Sequence, residues 1–217
     1  AIRTGENRLL HPFPAAPMSL RLALLACAIA LTCLPLAAAE PKYRSAQEII
    51  DAAPAEAWRS LDPANTLYLE LESGRVIIEL APQFAPAHVD NIRTLAREHF
   101  WDGLSIYRSQ DNFVVQFGDP EAGEAAAKSQ GTAKTKLPAE FASKRSGLRF
   151  NALPDKDGWA KQVGFVDGFP AARDSTTGET WLTHCYGTLG AGRGAEPDSS
   201  NGSELYVVTG QSPRQLD

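Results

Sequence analysis

The chain is poor in the residues that mark several large functional classes. It has four histidines and three cysteines, with no metal-ligand spacing among them, which argues against a metal centre. It has no block of Lys and Arg and no interleaving of basic with aromatic residues. With a formal net charge of −5, that composition argues against a nucleic-acid partner. No internal repeat is present. The glycine-rich stretch 190–194 lacks the strand–GxGxxG–helix frame of a nucleotide loop. What remains is a 217-residue chain of ordinary globular composition, long enough for one domain with a substantial core.

Met18 is the only methionine. It opens the stretch MSLRLALLACAIALTCLPLAAAE, in which Arg21 supplies a positive start, Leu22 to Leu34 an apolar run, and Ala37 to Ala39 a small-residue cleavage site. This is the pattern of a secretory signal peptide over 18–39, followed by export to the periplasm or the medium. Residues 1–17 then read as upstream, non-native sequence. A membrane anchor and a lipoprotein acylated on Cys27 or Cys33 stay open as alternatives, although the apolar run is short for a spanning helix. Cleavage after Ala39 removes Arg3, Arg8 and Arg21 against Glu6 alone, so the mature chain is more acidic than the −5 of the whole. Cys185 then stands alone, and no intramolecular disulfide can form.

Residues 40–64 read as an N-terminal extension packed on the domain. The spacing predicts a helix near Ala46 to Arg59, capped by Ser45 with Glu48 three residues on, and an apolar stripe of Ile49, Ile50, Ala53 and Ala57. Residues 66–80 read as a β-hairpin. Leu67, Leu69 and Leu71, then Val76, Ile78 and Leu80, alternate with polar neighbours around a Ser73-Gly74 turn. Residues 86–98 read as a helix with Pro86 in its first turn and an apolar face of Val89, Ile92, Leu95 and Ala96. Short strands are expected at 104–108, 113–117 and 203–209. Between Asp119 and Gly187 the expectation is long loops with a few strands and turns.

The segment HFWDGLSIYRSQDNFVVQFGDP (99–120) brings Arg108, Phe113, Val114 and Gln116 onto adjacent strands. Alternation puts Phe113, Val115 and Phe117 on one face and Val114 and Gln116 on the other, unless a bulge intervenes. Alone, this pattern reads first as two plain strands with a surface arginine. A second segment, YGTLGAGRGAEPDSSNGSELYVV (186–208), shifts the balance. The two together resemble the cyclophilin family. The first is similar to its F-H-R-x-x-x-x-F-x-x-Q-x-G-D signature, with Tyr107 in the His place, then Arg108, Phe113, Gln116, Gly118 and Asp119. The second is similar to the family's G-x-L-x-x-A…N-G-S-Q-F-F strand, through Gly187, Leu189, Asn201, Gly202, Ser203, Glu204, Leu205 and Tyr206. The stretch 81–103 resembles the family's A-P-x-T-V-x-N-F helix. Gln211 to Asp217 resembles the start of the following loop, ending in its Leu-Asp pair.

The resemblance covers 66–217 and implies a mainly β fold for 65–217. The expected form is a closed antiparallel β-barrel with capping helices, its C-terminal strand and helix missing beyond Asp217, together with the family's pocket His. It implies a peptidyl-prolyl cis-trans isomerase that assists the folding of exported proteins. Arg108 would be the catalytic guanidinium, and Gln116 would hydrogen-bond the peptide backbone. Phe113, Val114, Tyr206 and Leu216 would line the proline pocket. Glu204 and Leu205, in place of a Gln and a Phe, would alter the peptide groove. Gln215 stands where some members carry a Trp that contacts ciclosporin. The implied partners are proline-containing peptides or unfolded exported proteins, met by a monomer with no cofactor and no metal. The alternative is a non-catalytic peptide-binding or chaperone module on the same fold, which has no need of the Arg108–Gln116 pair. His88 and His99 read as surface or cap residues. His184 and Cys185 make a poor nucleophile–base pair, because neighbours in a strand point to opposite faces.

Overall fold

The structure is a computed structural model and describes residues 43–122, 124–144, 146–212 and 216–217. The 18–39 segment, Cys27, Cys33 and Gln215 lie outside the described residues. The chain divides into two units, Ala1–Trp58 and Arg59–Asp217.

In the first unit, α1 (Ala46–Asp51) starts at a reciprocal capping box. Ser45 Oγ accepts the Glu48 N–H, and the Glu48 carboxylate accepts the Ser45 N–H at 2.7 Å. The expected continuation to Arg59 does not form. Pro54 has no N–H to give and its ring blocks the preceding turn, so a single 3₁₀ turn, Ala55–Ala57, follows instead. Ile49 and Ile50, read as part of an apolar stripe, are exposed within this unit.

The second unit opens with the hairpin of β1 (Thr66–Leu71) and β2 (Gly74–Glu79). Leu71 pairs with Gly74, so the turn is Glu72-Ser73, and Gly74 opens β2 at a φ of 138° that side-chain-bearing residues rarely adopt. Leu67, Leu69 and Ile78 pack on a core of Leu80, Val89, Ile92, Phe117 and Leu205. Val89 and Ile92 come from α2 (Pro86–Arg97), which buries Leu95 as well. Each such side chain contributes roughly 1.5–3 kcal/mol. The same face buries Asn91, 4 % exposed, whose amide donates to the Lys134 and Asn201 carbonyls and whose oxygen accepts the Lys134 N–H.

Two four-stranded antiparallel sheets complete the unit. One contains β3 (Ser105–Gln110), β4 (Val114–Gly118), β9 (Leu189–Ala191) and β10 (Glu204–Val208), in the order β3-β4-β10-β9. The other is a meander of β5 (Phe150–Ala152), β6 (Gln162–Val166), β7 (Phe169–Asp174) and β8 (Glu179–Leu182). The few strands expected among the long loops of 119–187 are these four, β5 to β8. The β6–β7 turn is Asp167-Gly168, both at positive φ, as a tight hairpin requires. The meander packs Val166 and Ala171 with Ala81 and Phe84 in a second core cluster.

The closed barrel expected from the resemblance is corrected. The structure is mainly β with few helices, but among the described residues the ladders fall into three separate sheets, and β1 and β2 pair only with each other. Closure demands that every edge strand meet a partner at a matched tilt and stagger. Here the middle of the chain satisfies its backbone groups in a local meander, where each short loop costs little entropy to close.

Candidate functional site

Four strands supply one rung of the site. Arg108 on β3 faces Gln116 on β4, Gln116 faces Tyr206 on β10, and Tyr206 faces Gly190 on β9. The rung depends on a bulge. Ile106 pairs with Phe117 while Arg108 pairs with Gln116, so Tyr107 is an extra residue in β3. In a regular ladder Arg108 would face Val115 on the other side of the sheet. Arg108 Nη1 donates to Gln116 Oε1 at 3.1 Å and Nη2 donates to Gln110 Oε1 at 2.8 Å. The Gln116 amide nitrogen in turn donates to Glu204 Oε1. Gln116 therefore has both ends fixed, by a cation and a carboxylate. Burial, reinforced by the Glu204 charge, pushes the neighbouring Tyr107 phenol up to about 12.

Phe113 departs from the simple alternation. It sits in the turn before β4, after Asn112 at a φ of 52°, and so escapes the strand's two-residue period. Its ring lies under the Arg108 guanidinium, 5.7 Å from ring centroid to Cζ. Val114 is buried at 3 % exposure, beside the rung. A cleft of about 1230 Å³ is lined by all seven candidates, Arg108, Phe113, Val114, Gln116, Glu204, Tyr206 and Leu216.

Gly190 in β9 and Gly192 just after it make room for the residues that depart from the family pattern. A Cβ on Gly190 would stand 2.2 Å from Tyr206 Cζ, and one on Gly192 would stand 2.3 Å from Glu204 Oε1. The Tyr206 ring thus lies directly on bare backbone.

The sequence reading missed a polar group behind Tyr206. Its hydroxyl lies 2.9 Å from His184 Nε2, and His184 Nδ1 lies 2.8 Å from Asp217 Oδ1. Burial raises the Asp217 carboxyl, but the hydrogen bonds from the His184 ring and backbone and from Trp181 outweigh it and hold the group below its usual range. Burial pushes the Tyr206 phenol up. His184 and Cys185 lie in the loop after β8 rather than in a strand, and the Cys185 thiol donates to Thr183 Oγ1 at 3.3 Å. The His184 ring is engaged by Asp217 and Tyr206 instead of the Cys185 thiol. His99 is exposed, as read. His88 is not the surface residue expected: its side chain is 12 % exposed, and its ring bridges Glu140 at 2.7 Å and Ser200 at 3.1 Å. Among the described residues, no three His, Cys, Asp or Glu side chains gather where a metal ion could be held.

Residues 66–217 match the family described as "Cyclophilin type peptidyl-prolyl cis-trans isomerase/CLD". The chain is 37% identical over 152 residues to a probable peptidyl-prolyl cis-trans isomerase of Brucella suis, a match covering 70% of this chain and 61% of that one. It thus spans about three fifths of that relative's length. It is 40% identical over 52 residues to the peptidyl-prolyl cis-trans isomerase ppi1 of Schizosaccharomyces pombe, covering 24% of this chain and 34% of the other. Among solved structures it is similar to cyclophilin AquaCyp293 from Hirschia baltica, with a TM-score of 0.58 and 25% identity over 79% of this chain and 66% of that one.

Proposed function

The chain belongs to the cyclophilin-type peptidyl-prolyl cis-trans isomerase family, and on that premise we propose that it is a cofactor-independent isomerase of Xaa-Pro bonds in exported proteins. The observation that carries this reading is the bulge at Tyr107, which turns Arg108 onto the face of Gln116 and Tyr206.

Rotation about a peptide bond costs about 18–20 kcal/mol, because resonance stiffens the C–N bond. No bond is made or broken, so no nucleophile is needed. The enzyme has to bind the twisted amide better than either planar form. In the twisted state the prolyl nitrogen becomes pyramidal and regains a lone pair. Arg108 stabilises that state by donating to the lone pair. Two of its five N–H donors go to Gln116 and Gln110, which aims the fork. Phe113, Val114, Tyr206 and Leu216 grip the proline ring while the preceding carbonyl swings. Gln116, oriented by Glu204, meets the peptide backbone beside the proline.

The stretch 18–39 supports action outside the cytoplasm, with the mature chain working as a monomer on proline-containing or unfolded exported clients. A protease-coupled isomerisation assay on the full chain tests the reading. Acceleration that disappears with Arg108→Ala is expected. Peptide binding without acceleration would overturn it in favour of a binding module on the same fold.

A further inference from the structure

The rung Arg108–Gln116–Tyr206–Gly190 includes a hydroxyl that is held from outside the sheet. Tyr206 Oη lies 2.9 Å from His184 Nε2, and the two rings stack at 20° with centroids 6.0 Å apart. Asp217 grips His184 twice through one oxygen: Oδ1 lies 2.8 Å from the ring Nδ1 and accepts the backbone N–H at 2.9 Å. Its other oxygen accepts Trp181 Nε1–H at 3.2 Å. The residue as a whole is exposed, but its side chain is 7 % exposed, so water competes little for these bonds.

The chemistry of the donors fixes the direction of each bond. An ionised carboxylate can only accept, so His184 must carry a hydrogen on Nδ1. In the neutral imidazole Nε2 is then bare, and the Tyr206 hydroxyl must donate to it. The hydroxyl proton is directed toward His184, and the oxygen has only acceptor character left to offer the cleft. Gly190 completes the clamp, because the phenol lies flat where any Cβ would collide with it.

We propose that His184 and Asp217 are positioning residues of the isomerase site, acting through Tyr206 to lock the pocket wall in one place and present its hydroxyl oxygen as an acceptor. This rests on the isomerase reading above. Neither residue meets Arg108, so the relay governs how the proline is held rather than how the twisted amide is stabilised. Its loss should raise KM far more than it lowers kcat.

The test combines spectroscopy with kinetics on the full chain. Long-range ¹⁵N–¹H correlation spectra should find His184 as the Nδ1–H tautomer. Asp217→Asn, nearly isosteric, offers an amide donor to Nδ1 and should shift the ring toward Nε2–H. The same variant should raise KM about threefold to tenfold, the scale of one lost hydrogen bond, with kcat changed less than about twofold. That KM effect should largely vanish when Tyr206 is already Phe, because coupled residues are not additive. His184→Ala should follow the same dependence on Tyr206. An Nε2–H tautomer in the wild type, or an Asp217→Asn penalty of equal size with and without the Tyr206 hydroxyl, overturns the relay. A wild-type chain inactive on Xaa-Pro peptides would instead overturn the isomerase reading, and the tautomer would then decide the relay alone.

Discussion

Arg108 and Gln116 stand directly opposite each other across β3 and β4, and their side chains are joined by a 3.1 Å hydrogen bond. That pairing puts a guanidinium and an amide on the cleft side of the sheet. Arg108→Ala should therefore lower kcat/KM by about a hundredfold or more, the scale of removing one positioned donor from a transition state. Arg108→Lys should recover little, because an ammonium lacks the fork that Gln116 and Gln110 hold. Wild-type rates in Arg108→Ala, with an unchanged circular dichroism spectrum, would refute the role.

Gly190 in β9 and Gly192 just beyond it offer a paired test. A methyl group on Gly190 meets the Tyr206 ring, which is held by the sheet and by His184 and cannot retreat. Gly190→Ala should destabilise the fold by about 1–3 kcal/mol, as overpacking does, and weaken peptide binding. A methyl on Gly192 meets the end of the Glu204 side chain, which can swing away. Gly192→Ala should leave the melting temperature nearly unchanged and loosen only the Gln116–Glu204 contact. Equal destabilisation by both substitutions would contradict this account of the strand.

Much of the site was legible because its chemistry is spaced locally. Arg108, Phe113 and Gln116 fall within one short segment, and Glu204 and Tyr206 within another. The face they share was not legible, because the bulge at Tyr107 exists only in the pairing of β3 with β4. His184 and Asp217 lie 33 positions apart and meet only through the fold. The meander has a visible signal in Asp167-Gly168 between apolar neighbours, but its strands are too short for alternation to fix their bounds. Pro54 likewise stood in plain view as the limit of α1. Barrel closure was misjudged for a deeper reason: it depends on stagger summed around a sheet, which no local pattern encodes.

Alkaline pH should expose the environment of Tyr107. Its phenol is raised from 10.0 to about 12 in the folded chain, chiefly by burial. Between those values the folded state holds a proton that the unfolded state has lost, so stability falls as pH rises. Denaturation midpoints should hold steady below pH of about 10 and drop between about 10 and 12. Tyr107→Phe should lessen that drop, with the raised Tyr206 phenol retaining part of it, and an unaltered profile in the variant would refute the assignment.

Export gives a prediction independent of the site. With 18–39 acting as a signal peptide, mass spectrometry of the periplasmic or secreted protein should find Glu40 as the first residue. Recovery from the cytosol with Met18 retained would count against it.

Helix α2 begins without a side-chain cap of its own. Its N-cap residue, Ala85, provides no side-chain hydrogen bond. The first N–H groups of a helix have no partner within it and must find one elsewhere. Glu140, 52 positions away from His88, supplies it: Oε1 accepts the Ala87 N–H and Oε2 accepts the His88 N–H, each at 3.0 Å. The carboxylate also sits where the helix dipole favours a negative charge. Its side chain is 13 % exposed, so little is lost to solvent screening. Such a cap is worth about 0.5–2 kcal/mol. Glu140→Ala should lower the melting temperature by roughly 1–8 °C in a domain of this size. Glu140→Gln keeps an acceptor without the charge and should fall between. His88→Ala removes the link to Ser200 but leaves both backbone bonds, so its cost should be smaller than that of Glu140→Ala. The double variant should cost less than the two separately, because the side chains are in contact. A melting temperature unchanged in Glu140→Ala would mean that water or another group caps the helix equally well, and the brace from Glu140 to α2 would then carry no stability.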